Sequence, residues 1–212
     1  MKGIQNLRVD YSGHLINMDK MKNNPIEEFK LWFEDAKKNN IVEPNAMILS
    51  TLSNKGLINS RTVLLKNIKD DGFIFFTNYE SKKAIDIKKN NIVSSVFLWK
   101  KIERQIIITG NSIKIPRNES TKYFHSRPEK SKIAAWASKQ SSELDNTNKL
   151  LERFKYYELK FKGKKIPMPN YWGGYIIIPN SIEFWQGRAS RMHERIIYKK
   201  TENKWIKMRL YP

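Results

Sequence analysis

The segment Ile182–Arg195 concentrates side chains that recognise planar, anionic molecules. It carries an indole, an amide, a histidine and three arginines within fourteen residues, and strand-like sequence flanks it. Guanidinium groups match phosphates, an indole can cover an aromatic ring, and histidine can donate to a ring substituent. The segment therefore favours a site for a planar, anionic, heteroaromatic ligand. A β-hairpin edge decorated with Trp and Arg explains the same pattern, so the segment alone leaves both interpretations open.

A second candidate segment is the strand-like run Arg61–Lys66, which has a cation at each end. Strand alternation puts Arg61 and Lys66 on opposite faces, so the two cations can address different ligands. The backbone between them can meet the edge of a flat ring. A surface strand with terminal cations is the alternative interpretation.

A third segment joins the end of a strand, Phe76–Asn78, to the start of a helix at Ser81. Lys82 and Lys83 follow at once, so a hydroxyl, two ammonium groups and free backbone amides meet at a helix N-terminus. Such a terminus binds phosphate readily. Ordinary helix capping explains Ser81 equally well.

A fourth segment, Tyr123–Pro128, offers a second phosphate site. Tyr123 and Arg127 are four residues apart and so share one helix face. Pro128 marks a helix boundary, and we expect Ser131 to cap the next helix. Two phosphate sites in one small protein indicate a phosphorylated cofactor beside a phosphorylated substrate.

A predicted loop between two helices, Trp136–Ser142, adds neutral hydrogen-bonding groups. Gln140 and Ser141 fall within it, where an amide and a hydroxyl can reach a ligand. Other signatures of catalysis are missing from the sequence. The three histidines are isolated from one another and from carboxylate pairs, so no metal site is expected.

Composition narrows the possible functions. The formal net charge is +19, but 30 of the 40 basic residues are lysines scattered along the chain, without a basic block, which disfavours nucleic-acid binding. Cysteine is absent, as is common in a reducing cytosol. The sequence has neither a signal-peptide core nor an apolar run long enough to span a membrane, so we expect a cytoplasmic protein.

The strands and helices predicted to carry these groups indicate a mainly β fold with inserted helices. No repeat or linker divides residues 1–212, so one domain is expected. Strands are predicted at, among others, Ile58–Ile68, Tyr171–Ile178 and Ser181–Gln186. Tight turns between successive strands favour antiparallel pairing, and seven or more such strands favour a closed or split barrel. Gly173 with its neighbour Gly174 is expected to form a bulge or tight bend.

These segments, in this order, resemble the pyridoxine (pyridoxamine) 5′-phosphate oxidase family over nearly the whole chain. The matching pieces are Arg61–Lys66, Phe76–Asn78, Ser81–Lys83, Glu103–Gln105, Tyr123–Pro128, Trp136–Ser142, Pro169–Gly174, Ile182–Gly187, Arg191–Arg195 and Arg209–Pro212. Each piece alone is weak, but the combination is highly specific. The resemblance implies an α+β split β-barrel that forms a homodimer with FMN at the subunit interface. Lys82 departs from the family, which often has an arginine there.

The resemblance also implies roles for individual residues. Expected cofactor-binding residues are Arg61, Thr62, Val63, Leu64, Leu65, Lys66, Phe76, Thr77, Lys82, Lys83, Gln105, Gln140, Ser141, Trp185 and Arg195. Expected substrate-binding residues are Arg8, Tyr11, Lys66, Tyr123, Arg127, Ser131, Arg191 and His193. Of these, Arg191 and His193 are also expected to be catalytic. Residues 1–20 are expected to form a mobile N-terminal segment that covers the site.

The implied reaction oxidises the 4′ carbon of pyridoxamine or pyridoxine 5′-phosphate to give pyridoxal 5′-phosphate. Dioxygen accepts the electrons and becomes hydrogen peroxide. A related split-barrel flavoprotein, such as a flavin reductase, is the alternative enzyme, and it has no need for the substrate residues as a set. A basic nucleic-acid-binding protein is the remote alternative, and it would be colourless and bind DNA in a salt-dependent way.

Overall fold

The computed structural model describes residues 3–202 and 204–212, which form nine β-strands and five α-helices. The strands are β1 (Ala46–Leu52), β2 (Ile58–Leu64), β3 (Asn67–Lys69), β4 (Gly72–Asn78), β5 (Ile92–Trp99), β6 (Arg104–Lys114), β7 (Trp172–Gln186), β8 (Glu194–Lys200) and β9 (Trp205–Leu210). The helices are α1 (Pro25–Lys38), α2 (Lys82–Lys89), α3 (Arg117–Ser126), α4 (Glu129–Ala137) and α5 (Thr147–Phe161).

The strands form one antiparallel sheet that branches at β7. Neighbouring strands follow the order β2-β1-β5-β6-β7-β4-β3, and β8 and β9 extend from β7. The first part of β7, Trp172–Ile177, pairs with β4, and its last part, Ser181–Gln186, pairs with β8, while β6 runs along both parts. This branching gives the split arrangement. The predicted antiparallel α+β class is confirmed.

Helix α1 covers the main core. Asn24 Oδ1 accepts a hydrogen bond from the N–H of Ile26 at 2.9 Å, and proline occupies the first helical position, so the helix begins at Pro25. Phe29 is fully buried, and its ring lies 4.8 Å from that of Phe73 and 5.0 Å from that of Phe97. These edge-to-face contacts fix α1 against the sheet.

Helices α3, α4 and α5 form a second layer beside the start of β7. Their buried side chains make a separate apolar cluster with the segment that precedes β7, namely Phe124, Ile133, Phe161, Ile166, Met168 and Trp172. The helical layer therefore lies against the same end of the sheet at which β4 ends and α2 begins.

The predicted strand Ile58–Ile68 is wrong as one element, because the chain changes partners at Leu65 and Lys66. Asn45 bonds both backbone groups of Leu65, accepting from its N–H at 2.8 Å and donating from Nδ2 to its carbonyl at 3.1 Å. The preceding strand pairs with β1 and the following one with β4. The break places Lys66 between two strands.

The two predicted strands Tyr171–Ile178 and Ser181–Gln186 are one strand, β7. Pro179 is tolerated inside it because the pairing with β6 shifts register there, between Thr109 and Gly110. The predicted bulge at Gly173 and Gly174 is wrong, since both pair in regular register with β4. A side chain at Gly173 would collide with the ring of Tyr79, so close packing requires the glycine.

Candidate active site

A cavity of about 1050 Å³ lies where β2, the end of β4, the start of α2 and helices α3 and α4 meet. The predicted ligand-binding residues that line it are Arg61, Thr62, Val63, Leu64, Lys66, Phe76, Thr77, Lys82, Lys83, Tyr123, Arg127, Ser131, Gln140 and Ser141. Leu65 does not line it, because its side chain is buried in the core and Asn45 bonds its backbone. The structure thus brings most of the predicted set together.

The cavity is strongly cationic. Five basic side chains line it, and none of its described lining residues is an Asp or Glu. Cations that lack carboxylate partners repel one another in a concave, partly buried space. An anionic ligand relieves that repulsion, so the lining favours molecules that carry phosphate.

One group of phosphate-binding side chains lies at the N-terminus of α2. The Lys83 ammonium donates to Thr77 Oγ1 and to Ser81 Oγ, both at 3.2 Å. Burial, with repulsion from Arg61, lowers the pKa of Lys83 to about 8. Ser81 occupies the N-cap, but its hydroxyl donates to the Asn78 carbonyl at 2.7 Å and does not cap the helix. The N–H of Ala84 donates to the Ser81 carbonyl at 2.9 Å, whereas the N–H groups of Lys82 and Lys83 make no hydrogen bond with the described residues and are available to a ligand.

Gln140 ties the loop after α4 to this group. Its Oε1 accepts a hydrogen bond from Thr77 Oγ1 at 3.2 Å and lies 3.4 Å from the backbone nitrogen of Asn78. Ser141 has a positive φ of 72°, which bends the loop beside the cavity. The predicted loop position of both residues is confirmed. Arg153, which sequence reasoning missed, donates to the Ala137 carbonyl at 2.7 Å and so holds the end of α4.

A second group of polar side chains lies on α3 and α4. Tyr123, Arg127 and Ser131 line the cavity, and Arg127 Nη1 is buried without a hydrogen-bond partner among the described residues. Burial raises the pKa of the Tyr123 phenol, which therefore stays protonated and can donate. The expected capping role of Ser131 is wrong: Pro128 occupies the N-cap, and Ser131 lies within the first turn of α4.

Aromatic rings support the second group. The ring of Phe76 stacks on that of Tyr123 with centroids 4.0 Å apart and on that of Trp172 at 5.3 Å. The Arg127 guanidinium lies 4.8 Å from the Trp172 ring centroid, a cation–π contact. Sequence reasoning assigned no role to Trp172, although an indole directly before Gly173 was a usable signal. Trp172 holds Arg127 at the cavity wall.

Three of the remaining predicted residues, Tyr11, Trp185 and His193, form a second cluster that does not line this cavity. Tyr11 packs edge-on against Trp185 at 5.7 Å and against His193 at 5.5 Å, and Trp185 lies 4.8 Å from His193. The backbone N–H of Arg188 donates to His193 Nδ1 at 3.2 Å. The tautomer that accepts this bond carries its proton on Nε2, which makes no hydrogen bond with the described residues.

The strands beside Trp185 carry two more of the predicted residues. Gln105 on β6 and Arg195 on β8 each lie opposite Trp185 in the sheet. Arg195 makes a bidentate ion pair with Glu183, at 2.7 and 3.1 Å. Arg191 is exposed and has a left-handed φ of 59°. A left-handed backbone costs about 1–3 kcal/mol in a non-glycine residue, and residues with such strain are common in functional loops.

The N-terminal segment is anchored to this second cluster. The N–H groups of Ser12 and Gly13 donate to Glu103 Oε2 at 2.8 and 2.9 Å. A side chain at Gly13 would collide with the carbonyl of Gly187, so the approach requires glycine. Arg8 is exposed in this segment, and residues 1 and 2 of the predicted 1–20 segment lie outside the described residues.

Two kinds of site are absent from the described part of the chain. Its His, Asp and Glu side chains form no group of three or more that could hold a metal ion. In residues 3–202 and 204–212, no helix has both the length and the apolar character needed to cross a membrane.

Two family models match the chain. The model described as "Pyridoxamine 5'-phosphate oxidase" matches residues 33–161, which carry most of the cavity lining. The model described as "Pyridoxine 5'-phosphate oxidase C-terminal dimerisation region" matches residues 172–212, which include Trp185 and His193. The match to this region supports a homodimer.

Similar proteins of known name agree with the family models. The chain is 44% identical over 209 residues to pyridoxine/pyridoxamine 5′-phosphate oxidase 2 of Hydrogenovibrio crunogenus, covering 99% of this chain and 98% of that protein. It is 46% identical over 202 residues to the pyridoxine/pyridoxamine 5′-phosphate oxidase of Psychromonas ingrahamii, covering 94% and 93%.

Solved structures share the fold. PhzG from Burkholderia lata 383, solved in complex with tetrahydrophenazine-1-carboxylic acid, has a TM-score of 0.90 at 28% identity and covers 95% of this chain and 100% of its own. A pyridoxamine 5′-phosphate oxidase-related, FMN-binding protein from Nostoc punctiforme has a TM-score of 0.71 at 12% identity, over 91% of this chain and 100% of its own. Fold, family models and relatives thus agree, and the chain belongs to the pyridoxamine 5′-phosphate oxidase family.

Proposed function

We propose that this chain oxidises pyridoxamine 5′-phosphate or pyridoxine 5′-phosphate to pyridoxal 5′-phosphate with FMN, using dioxygen as electron acceptor and producing hydrogen peroxide. The observation that carries the proposal is the cavity, whose described lining has five cations and no carboxylate. Most of its cations and hydroxyls come from two sets of elements, β2, β4 and α2 in one and α3 and α4 in the other, while Lys66 lies in the link between β2 and β3. Such a lining fits a phosphorylated cofactor beside a phosphorylated substrate.

The α2 end fits the phosphate of FMN. Arg61, Lys82 and Lys83 supply positive charge there, and Thr77 supplies a hydroxyl beside the amides of the helix N-terminus. Thr62, Val63 and Leu64, with Phe76, Gln140 and Ser141, would hold the ring system. When bound, FMN supplies the two-electron acceptor for the substrate's 4′ carbon, and dioxygen reoxidises it.

The α3–α4 end fits the phosphate of the substrate. Lys66 and Arg127 supply charge, and Tyr123 and Ser131 supply hydroxyl donors. Arg127 has a buried nitrogen without a partner among the described residues, which a phosphate oxygen would satisfy. We infer that this end fixes the substrate by a group that does not change during the reaction.

We infer that a second chain completes the site. Trp185, Arg191 and His193 do not line the cavity of their own chain, and all three lie within the segment that matches the family's dimerisation region. In a two-fold dimer each cavity then receives these side chains from the partner. Gln105 and Arg195, which flank Trp185 in the sheet, would approach FMN from the same direction.

Arg191 and His193 would orient the substrate ring and its 4′ substituent. The Nε2–H of His193 is the donor that its Nδ1 contact leaves free, and Arg191 is exposed, on a backbone with a left-handed φ of 59°. Alignment of this kind has large effects, because about 1 Å of misplacement can cost about a hundredfold in rate. Arg8 and Tyr11 would cover the site, since Tyr11 already packs on His193.

Absorbance and peroxide release test the proposal together. Purified protein should be yellow, with flavin absorbance in the visible range, and should release hydrogen peroxide on addition of pyridoxamine 5′-phosphate but not of unphosphorylated pyridoxamine at the same concentration. Bound flavin with oxidation of a reduced nicotinamide and no peroxide from the phosphorylated substrate would instead indicate a flavin reductase. Colourless protein that does not take up FMN would contradict the proposal.

A further inference from the structure

A buried carboxylate, that of Asp86, lies just behind the proposed FMN phosphate site and is absent from the cavity wall. Asp86 is on α2 and only 5% exposed. Its Oδ2 accepts hydrogen bonds from Thr51 Oγ1 on β1 at 2.7 Å and from Asn59 Nδ2 on β2 at 3.2 Å. Three elements therefore converge on one carboxylate oxygen.

Thr51 links this carboxylate to Arg61. The Arg61 Nη1 donates to Thr51 Oγ1 at 2.8 Å and to the Leu49 carbonyl at 3.0 Å. A hydroxyl has one proton, and Thr51 gives that proton to Asp86, so the oxygen of Thr51 is an acceptor toward Arg61. The direction of both bonds in the chain Arg61–Thr51–Asp86 is thereby fixed.

These hydrogen bonds fix only one edge of the Arg61 guanidinium. Nη1 of Arg61 is bonded to β1, and Nη2 lies 4.0 Å from Asp86, at the limit of an ion pair. The Nε and Nη2 of Arg61 make no hydrogen bond with the described residues, although Arg61 lines the cavity. A guanidinium fixed along one edge presents its remaining donors to a ligand with little loss of side-chain freedom on binding.

The contacts of Asp86 explain how its carboxylate can be buried. A buried carboxylate is costly unless charge and hydrogen bonds compensate for its desolvation. Arg61 and Lys83 repel each other at the same place, and Asp86 supplies negative charge behind Arg61 without entering the cavity. The same carboxylate ties α2, which carries Lys82 and Lys83, to strands β1 and β2.

We propose that Asp86 is a positioning residue for the cofactor phosphate, which acts through Thr51 to hold Arg61 in its binding orientation. The inference rests on the proposed function only in taking FMN as the ligand. It assigns to Asp86 and Thr51 an effect on FMN affinity, although neither lines the cavity.

Matched variants test the chain of hydrogen bonds. Thr51→Val removes the hydroxyl at nearly constant volume and should raise the FMN dissociation constant about tenfold. Thr51→Ser keeps the hydroxyl, so its FMN dissociation constant should lie within about twofold of the wild-type value. Ser50→Ala is the control, because it breaks a hydroxyl pair with Ser60 between the same two strands, and it should leave the affinity unchanged. Flavin fluorescence during titration of the apoprotein measures the affinity, and thermal unfolding of the apoprotein monitors the fold.

A double-mutant cycle separates positioning from general stability. In an Arg61→Ala background, Thr51→Val and Asp86→Asn should cause no further loss of FMN affinity, because they act through the missing guanidinium. Equal losses with and without Arg61, a Thr51→Ser variant as weak as Thr51→Val, or unchanged affinity in Thr51→Val would overturn the inference. Failure of the wild-type protein to bind FMN would instead overturn the proposed function and this inference with it.

Discussion

We expect Lys83 to give FMN binding a pH dependence. In the apoprotein its pKa is lowered to about 8, first by burial and then by Arg61, so the ammonium loses its proton as the pH rises through 8. A phosphate binds the ammonium and not the amine, so binding takes up a proton above this pH. We expect the FMN dissociation constant to be flat near pH 7 and to rise above pH 8 by at most about tenfold per pH unit.

Titration of the apoprotein with FMN between pH 6.5 and 9.5 measures this effect. The second ionisation of the phosphate is nearly complete by about pH 7 and so does not contribute. Lys83→Met should bind FMN more weakly and lose the dependence, whereas Lys82→Met should retain it, because Lys82 is exposed at the same helix end. A wild-type affinity independent of pH up to 9.5 would be incompatible with phosphate binding by Lys83.

Arg127 and Arg191 should fail in different ways when changed to alanine. Arg127 is assigned to a phosphate that stays constant during the reaction, so its loss should raise KM with little change in kcat. Arg191 is assigned to the reacting ring, so its loss should also lower kcat, by about a hundredfold if the ring shifts by about 1 Å. Steady-state peroxide assays measure both, and FMN occupancy should persist in each variant. Equal kcat in the two variants would remove the catalytic assignment of Arg191.

At the residue scale, the sequence identifies the charged ligand-binding groups but not the residues behind them. Arginines are rare in a lysine-rich chain, so Arg61 and Arg127 stand out. Trp172 is marked only by its position directly before Gly173, and Asp86 carries no such signal. Their roles depend on contacts with residues far along the chain, such as Thr51 and Asn59 for Asp86, which only the folded sheet creates.

At the scale of elements, the N-terminal segment is anchored by the side chain of Glu103. Glu103 accepts the hydrogen bonds of Ser12 and Gly13 and so keeps Tyr11 against His193. Glu103→Ala should release the segment, which we expect to raise KM about fivefold, corresponding to about 1 kcal/mol of lost hydrogen bonding at a partly exposed site. FMN affinity should be unchanged, because Arg8 and Tyr11 of the segment are assigned to the substrate and not to the cofactor.

Limited proteolysis of the N-terminal segment provides an independent measure of its release. Glu43→Ala is the control, since Glu43 is also an acid at a left-handed backbone position, with φ 46° against 57° for Glu103, but it is exposed whereas Glu103 is half-buried. Only the Glu103 variant should be cut faster near Ser12. Equal cleavage and equal KM in the wild type and the Glu103 variant would mean that this carboxylate does not hold the segment.

The sequence predicts most elements but not where the chain changes partners. Apolar alternation continues through Leu65, so nothing local separates β2 from β3; the break depends on Asn45, which is 20 positions away. Likewise Pro179 indicates two strands, yet the register shift opposite it lets β7 continue. Local patterns therefore locate strands, whereas long-range hydrogen bonds decide where they end.

At the scale of the whole molecule, the predicted site residues separate into two clusters. The family resemblance assigns both Arg61 and His193 to the site. Their positions in the sequence do not indicate whether both side chains of one site come from the same chain. Within the chain, Arg61 lines the cavity while His193 packs with Tyr11 and Trp185 outside it. The match of residues 172–212 to a dimerisation region supports a homodimer, in which we propose that the partner completes each site.

The activity of mixed dimers tests the shared site most directly. Arg61→Ala and Arg191→Ala should each have little activity alone. If each site takes Arg61 from one chain and Arg191 from the other, a mixed dimer contains one doubly altered site and one intact site. Random pairing of equal amounts makes about half of the dimers mixed, so coexpression should restore about a quarter of the wild-type peroxide release per site. Activity no greater than the mean of the two parents, with mixed dimers confirmed by distinct tags, would contradict a site shared between chains.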